Sequence, residues 1–287
     1  MIVEWIRHRL TPAPRALRDM GYLRELIAID ARRRRHRRAW APHLRAAQSM
    51  ILDCAAHLDR WDQVVVVGAA QTADVPLDLL ALLFRRVVLV DLMFLPAVRI
   101  AAMRMAPVAL EPCDVTGVVE AVRTLPRGAP LPAPRPAIPD MAHADLVISC
   151  NVLSQLPLLP CRWLERRHGL DPVALEPFRR RLIADHLRVL SAAPCPVCLI
   201  TDTERQVVVA GQPVEAVDLL HGIDPDVEGD AWWWAIAPRP EEAWTHDVRH
   251  RVIAGWLRGF STPDDDASVA DLGPERRPVD GRSHGGG

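Results

Sequence analysis

The sequence predicts a doubly wound α/β fold, in which a mostly parallel sheet carries an antiparallel hairpin at one edge and is preceded by N-terminal helices. Three observations carry this. From residue 63 onward, short apolar β-branched runs alternate with helical segments, the pattern of parallel strands covered on both faces. Residues 1–60 contain no such runs and show helical spacing instead. After residue 203 the alternation stops, and two later runs have no crossover helix between them, which suits an antiparallel pair.

Each element follows from its local pattern. In residues 1–60, YLRELIAI and LRAAQSMILDCAAHL have apolar residues at helical spacing, and ARRRRHRRAW lies between them. This segment holds thirteen arginines against six acids. On a helix, arginines 32–35 point all round the axis, so they are expected to be solvated and to pair with acids elsewhere. Contact with nucleic acid is conceivable only through the Arg32–Arg38 run. Strand VVVVG (64–68) leads into the helix VPLDLLALLF, and VVLVD (87–91) into LPAVRIAAMRM. VAL (108–110) leads through EPCDVTG into VVEAVRTL, DLVISC (145–150) into a helical region ending near Leu190, and VCLITD (197–202) comes next. QVVVAG (206–211) and AWWWAIAP (231–238) read as the antiparallel pair, and WTHDVRHRVIAGWLRGF as a short closing helix. The proline-rich stretch 125–140 is expected as a semi-rigid surface loop. The organisation is therefore a helical segment over 1–60, a main domain over 61–260 and a polar, disordered tail over 261–287.

Composition narrows the chemistry. The 287 residues are 49% hydrophobic, enough for a substantial core, and the net charge of −1 provides no global field for nucleic acid or an acidic membrane. The sequence contains no lysine, which excludes Schiff-base and pyridoxal phosphate catalysis and a Walker A phosphate loop. Tyr22 is the only tyrosine, so a Tyr-Lys dehydrogenase pair is excluded as well. The six scattered cysteines read as reduced, buried thiols. MIVEWIRHRL lacks the apolar core of a secretory signal and no stretch reads as a membrane span, so the expected compartment is the cytoplasm, without membrane contact.

In an open parallel sheet, ligands bind beyond the carboxyl ends of the strands. Here those ends are Gly68, Asp91, Asp114, Cys150 with Asn151, and Asp202. Asp91 closes the second strand, where a carboxylate accepts hydrogen bonds from both ribose hydroxyls, and Asp114 follows the third, within reach of an exocyclic amine. The bland alternative for each is a helix cap. GAAQTA lacks two of the three glycines of a nicotinamide loop. Cys195 and Cys198 have redox spacing but precede a strand and have no second pair to complete a zinc site, so no metal is expected. His246 and His250 would lie one helical turn apart, on what is expected to be a solvated face. A strand through Trp232, Trp233 and Trp234 puts two indoles on one face and one on the other.

The run VVVVGAAQTADVPLDLL, VVLVD, CDVTG and DLVISCNVLSQLP, followed by VCLITD and two late strands, resembles the class I S-adenosylmethionine-dependent methyltransferases in order and spacing over residues 50–240. The resemblance implies a Rossmann-like domain with S-adenosylmethionine as cofactor and a small-molecule or macromolecular methyl acceptor. It implies that Gly68, Ala69, Ala70 and Gln71 face the methionine part of the cofactor, that Asp91 and Leu92 border the ribose, and that Asp114 and Val115 border the adenine. Cys150 and Asn151 would lie near the methyl group, with Asn151 and Asp202 as polar candidates at the rim. The sequence departs from the family in its first loop, where alanines replace glycines and Asp74 arrives late. The alternative reading is a catalytically inactive, methyltransferase-like binding or scaffold protein.

Overall fold

The computed structural model describes residues 11–262. Helices α1 (Arg15–Met20), α2 (Tyr22–Arg35) and α3 (Arg37–Ala56) lead into β1 (Gln63–Val67). Then follow α4 (Leu77–Leu83), β2 (Arg86–Asp91), α5 (Pro96–Arg104), β3 (Val108–Pro112), α6 (Val119–Arg123), β4 (Leu146–Cys150), α7 (Leu158–His168) and α8 (Glu176–Ser191). Four strands close the described chain: β5 (Val197–Val209), β6 (Gln212–Asp218), β7 (Asp224–Ala237) and β8 (Asp247–Ser261). The sheet order is β3-β2-β1-β4-β5-β8-β7, with β6 also paired to β5. Strands β1 to β5 pair in parallel, whereas β6 and β8 run antiparallel to β5, and β7 antiparallel to β8.

The apolar strands are buried because both faces of the sheet are covered. Val64, Val66, Leu89 and Ile148 belong to one core cluster with Ile51 and Cys54 of α3 and Leu80 of α4. Val65, Val67, Val90 and Val147 belong to the other, with Ile183 and Leu187 of α8. This is the period-two division of a strand buried on two sides. The doubly wound fold with an antiparallel edge and N-terminal helices is the one expected, and residues 125–138 form a loop without regular structure.

The edge itself differs in detail. QVVVAG is not a separate strand but the second half of β5, which runs unbroken from VCLITD past the end of β4. Neither does it pair with AWWWAIAP, because β8 lies between them. The expected closing helix is β8: Val248, Val252 and Ala254 are buried at even spacing, and the strand bonds to β5 on one side and β7 on the other. Two glycines, Gly255 and Gly259, weigh against a helix there. Gly255 also brings its backbone so close to β7 that a Cβ would meet Glu228 O at 2.2 Å. His246 and His250 therefore do not share a helical turn. Most of the polar tail expected over 261–287 lies outside the described residues.

Candidate functional site

The carboxyl ends of β1 to β4 open into a cavity of about 200 Å³. Its floor is made by the strand ends and the loops that leave them. Its lid comes from α2 (Leu26, Ile29, Arg33), α3 (Trp40, His43, Leu44), α7 (Leu158, Leu159) and Trp234 of β7. Of the residues predicted for the site, Gly68, Ala70, Gln71, Asp91, Leu92, Asp114, Val115, Cys150 and Asn151 line this cavity, while Ala69 is buried outside its wall.

The floor is held by its own backbone. Gly68 has φ +87°, and a Cβ there would lie 2.3 Å from Cys150 O, so only glycine lets β1 pass the end of β4 at this distance. Neither Ala69 nor Ala70 has a positive φ, so the loop needs glycine only at position 68 for its conformation. The Asp91 carboxylate accepts from Ala70 N at 2.9 Å and Leu92 N at 2.7 Å, tying the β1 loop to the end of β2. Burial nonetheless pushes this carboxyl up, from 3.8 to about 6. Asp114 accepts from Thr116 N at 3.0 Å, Thr116 Oγ1 at 2.6 Å and Val119 N at 2.8 Å, so it closes the CDVTG turn against the start of α6. Both carboxylates thus serve the turns as well as facing the cavity, with lone pairs remaining on Asp91.

Asn151 follows β4 at φ +51° and donates from Nδ2 to Asp74 Oδ2 at 2.7 Å. Burial pushes the Asp74 carboxyl above its usual range, against the hydrogen bonds from Asn151 and Cys150 and the nearby charge of Arg33. The Cys150 thiol is driven well above its ordinary value by burial and stays protonated. Two buried acceptors in this part of the wall, Gln71 Oε1 and Asn151 Oδ1, have no hydrogen-bond partner.

The lid joins Trp40 and His43, which the sequence did not single out, to Trp232 and Trp234, which it did. Trp40 packs edge-on against Trp234 with ring centroids 4.6 Å apart, and His43 stacks on Trp234 at 3.9 Å. His43 Nδ1 accepts from Trp232 Nε1 at 3.2 Å, and burial lowers the imidazole to about 4, so the ring is neutral at ordinary pH. A neutral ring accepting at Nδ1 carries its proton on Nε2. The 3.4 Å approach of Nε2 to Asn151 Nδ2 then brings two donors together. His43 had a signal in the sequence, since it interrupts the buried stripe Trp40, Ala47, Ile51, Cys54 of α3 with a polar ring. Trp232 and Trp234 turn toward α3, while half-exposed Trp233 lies on the other face beneath Arg249 and Arg251.

The remaining candidates fall outside the cavity wall. Asp202 is not at its rim. It is buried beside Ser154 and His250, accepting from Ser154 Oγ and lying 2.6 Å from His250 Nδ1. Burial opposes its ionisation, but these partners outweigh it and hold the carboxyl below its usual range. Cys198 is buried in β5 and its hydrogen-bond neighbour is Cys54, not Cys195. The first half of the arginine run is engaged within the chain, while Arg37 and Arg38 are exposed. Arg35 lies 2.5 Å, His36 2.8 Å and Arg32 3.4 Å from Glu241, and Arg33 and Arg34 pair with buried Asp30. Arg35 and His36 together hold Glu241 down at about 2. Among the described residues, no three His, Cys, Asp or Glu side chains gather as metal ligands, and no helix is long and apolar enough to cross a membrane.

No protein-family model and no curated protein matches this chain. Solved structures similar to it include a Burkholderia thailandensis 1,6-didemethyltoxoflavin-N1-methyltransferase with bound 1,6-didemethyltoxoflavin and S-adenosylhomocysteine. The match has 17% identity, 73% of this chain and 76% of that one covered, and a TM-score of 0.33. A DhpI–SAH complex is similar at 13% identity, 80% and 95% coverage and a TM-score of 0.34.

Proposed function

We propose that the protein is an S-adenosylmethionine-dependent methyltransferase whose cofactor lies along the floor of the cavity and whose acceptor enters beneath the lid. The supporting observation is the convergence of the β1 loop, Asp91, Asp114 and the β4 end on one cavity that also contains unpartnered buried acceptors. The residues fit the cofactor. Gln71 Oε1 and Asn151 Oδ1, beside the Asp74 carboxylate, suit the positively charged methionine end, and Asp91 keeps lone pairs for ribose hydroxyls. Leu92, Val115 and Tyr22 offer apolar wall to the adenosine.

When bound, S-adenosylmethionine supplies an electrophilic methyl group on a sulfonium. The protein's own part is placement, with a base needed only where the acceptor must lose a proton. His43 is not free to be that base, because its one ring lone pair, on Nδ1, accepts from Trp232 and its Nε2 already carries hydrogen. Asp91 and Asp114 are engaged by backbone N–H groups and Asp74 by the Asn151 amide, which leaves Glu25, among the described residues, as the wall carboxylate without a hydrogen-bond donor on it. Calorimetry with S-adenosylmethionine and S-adenosylhomocysteine tests the reading. Micromolar binding that Asp91→Ala removes is the expected result, and absence of binding at millimolar ligand overturns it.

A further inference from the structure

The two sides of the cavity differ in the polar atoms they leave unpaired. On the floor these are acceptors, Gln71 Oε1 and Asn151 Oδ1. On the lid they are donors. Trp234 is only 7% exposed, yet its indole Nε1–H has no acceptor. Arg33 pairs through Nη2 with Asp30 at 2.9 Å, but its buried Nε–H has none. His43, 1% exposed, presents an Nε2–H whose near neighbour is the Asn151 amide nitrogen, another donor. A buried donor without a partner costs about 1–3 kcal/mol, so three in one wall call for a ligand that accepts.

Resting on the methyltransferase reading, we propose that the lid half of the cavity is the methyl-acceptor site and selects a small, apolar-bodied molecule bearing a hydrogen-bond-accepting oxygen, a carbonyl or carboxylate. Trp234, Arg33 and His43 hold the oxygen. Leu26, Ile29 and Leu44 pack on the body. The charge of Arg33 favours an anion over a neutral carbonyl, and the carboxylate that α2 adds to this wall, Glu25, is half-exposed and faces Arg162 at 3.8 Å. A cavity roofed by three helices suits a small molecule rather than a polymer.

The test uses the full chain and four probes that share one phenyl ring: benzoate, benzamide, toluene and benzylamine, each titrated calorimetrically with and without S-adenosylhomocysteine. Benzoate and benzamide are expected to bind at least about tenfold more tightly than toluene, the worth of one or two buried hydrogen bonds, and benzylamine to bind no better than toluene. Trp234→Phe should reduce the preference for benzamide over toluene severalfold, and Arg33→Gln should erase the preference for benzoate over benzamide. Because each variant is read as a ratio between probes, partial loss of folded protein does not mimic the result. Benzylamine binding as tightly as benzoate, no binding of any probe, or retention of both preferences in the variants overturns the proposal. Benzoate binding without any S-adenosylhomocysteine binding defeats the methyltransferase reading while the oxygen-accepting site stands. The reverse result defeats only the site.

Discussion

The floor and the lid of the cavity are built by different means. The floor is mostly backbone work: Gly68, Asp91, Asp114 and Asn151 each sit where a strand ends, and their contacts are to main-chain groups or, for Asn151, to Asp74 of the β1 loop and His43 of the lid. The lid is a long-range assembly in which His43 and Trp40 of α3 meet Trp232 and Trp234 from almost two hundred residues later. A site of this kind holds one half rigid through the sheet and leaves the other half to packing, so changes in the two halves should have different consequences.

The largest effect is expected from Gly68→Ala. The new Cβ would lie 2.3 Å from Cys150 O, and alanine at φ +87° carries about 1–3 kcal/mol of backbone strain before any clash is counted. Denaturant unfolding should show a loss at or beyond the top of that range, because the obstructing atom is backbone and β4 must move to relieve it. A variant as stable as the parent would mean that the floor is not set by its backbone.

Asp91→Ala comes next. It leaves Ala70 N and Leu92 N without their acceptor, at about 1–3 kcal/mol each where the groups stay dry. Thermal unfolding should register the loss, and under the proposed function calorimetry should register the disappearance of S-adenosylhomocysteine binding. Asp91→Asn keeps one acceptor oxygen and should lose roughly half as much stability. If asparagine costs as much as alanine, the amide NH2 facing one of the two N–H groups cancels the bond its oxygen keeps.

The two halves also respond to acid in opposite directions. Burial lowers His43 of the lid, and His186 beneath the sheet, from 6.5 to about 4. Between those values the unfolded chain binds more protons than the folded one, so their contribution is present above pH 6.5 and is lost as pH falls toward 4. Asp91 of the floor is raised from 3.8 to about 6, so its contribution is present below 3.8 and is lost as pH rises through 6. The windows overlap and the signs oppose. The measured slope of stability between pH 4 and 6.5 should therefore steepen in Asp91→Asn and flatten in His186→Gln, as followed by denaturant titration at each pH.

How much was legible in the sequence follows the same division. Strand ends can be read because a fully apolar run ending in Gly68, Asp91 or Cys150–Asn151 leaves little doubt about where the sheet stops. The convergence of these residues on one cavity then follows from parallel pairing alone. The lid could not be read in this way. Trp234 faces His43 only because β8 inserts between β5 and β7, and the helical reading of residues 244–260 hid that strand. Asp202 was misplaced for a related reason. It ends an apolar run, but β5 continues past it, so the carboxylate turns into the sheet toward His250 instead of standing at a strand end.

A smaller effect tests how firmly the lid is fastened. Glu241 gathers Arg32, Arg35 and His36 at the junction of α2 and α3, and these groups are partly exposed. Surface ion pairs of this kind are worth about 0–1 kcal/mol. Glu241→Gln should change global stability by no more than that, yet speed amide hydrogen exchange in α2, whose Arg33 reaches the cavity. Unchanged exchange would show that the apolar packing of Leu23, Leu26 and Ile27 holds the lid without the clasp.

The smallest effect is expected from Ala70→Gly, and its value lies in the contrast with Gly68→Ala. Ala70 lies in the same loop, donates its N–H to Asp91 and accepts from Leu95 N at 3.0 Å, all without a positive φ. Glycine there gains nothing in the folded state and gives the unfolded chain more freedom, so stability should fall by about 0.4–1 kcal/mol. A fall of that size means the alanines are native to this loop's geometry and only position 68 demands glycine. A rise in stability would mean instead that the Ala70 methyl strains the loop, and the departure from a glycine-rich sequence would then be a defect that the rest of the floor compensates.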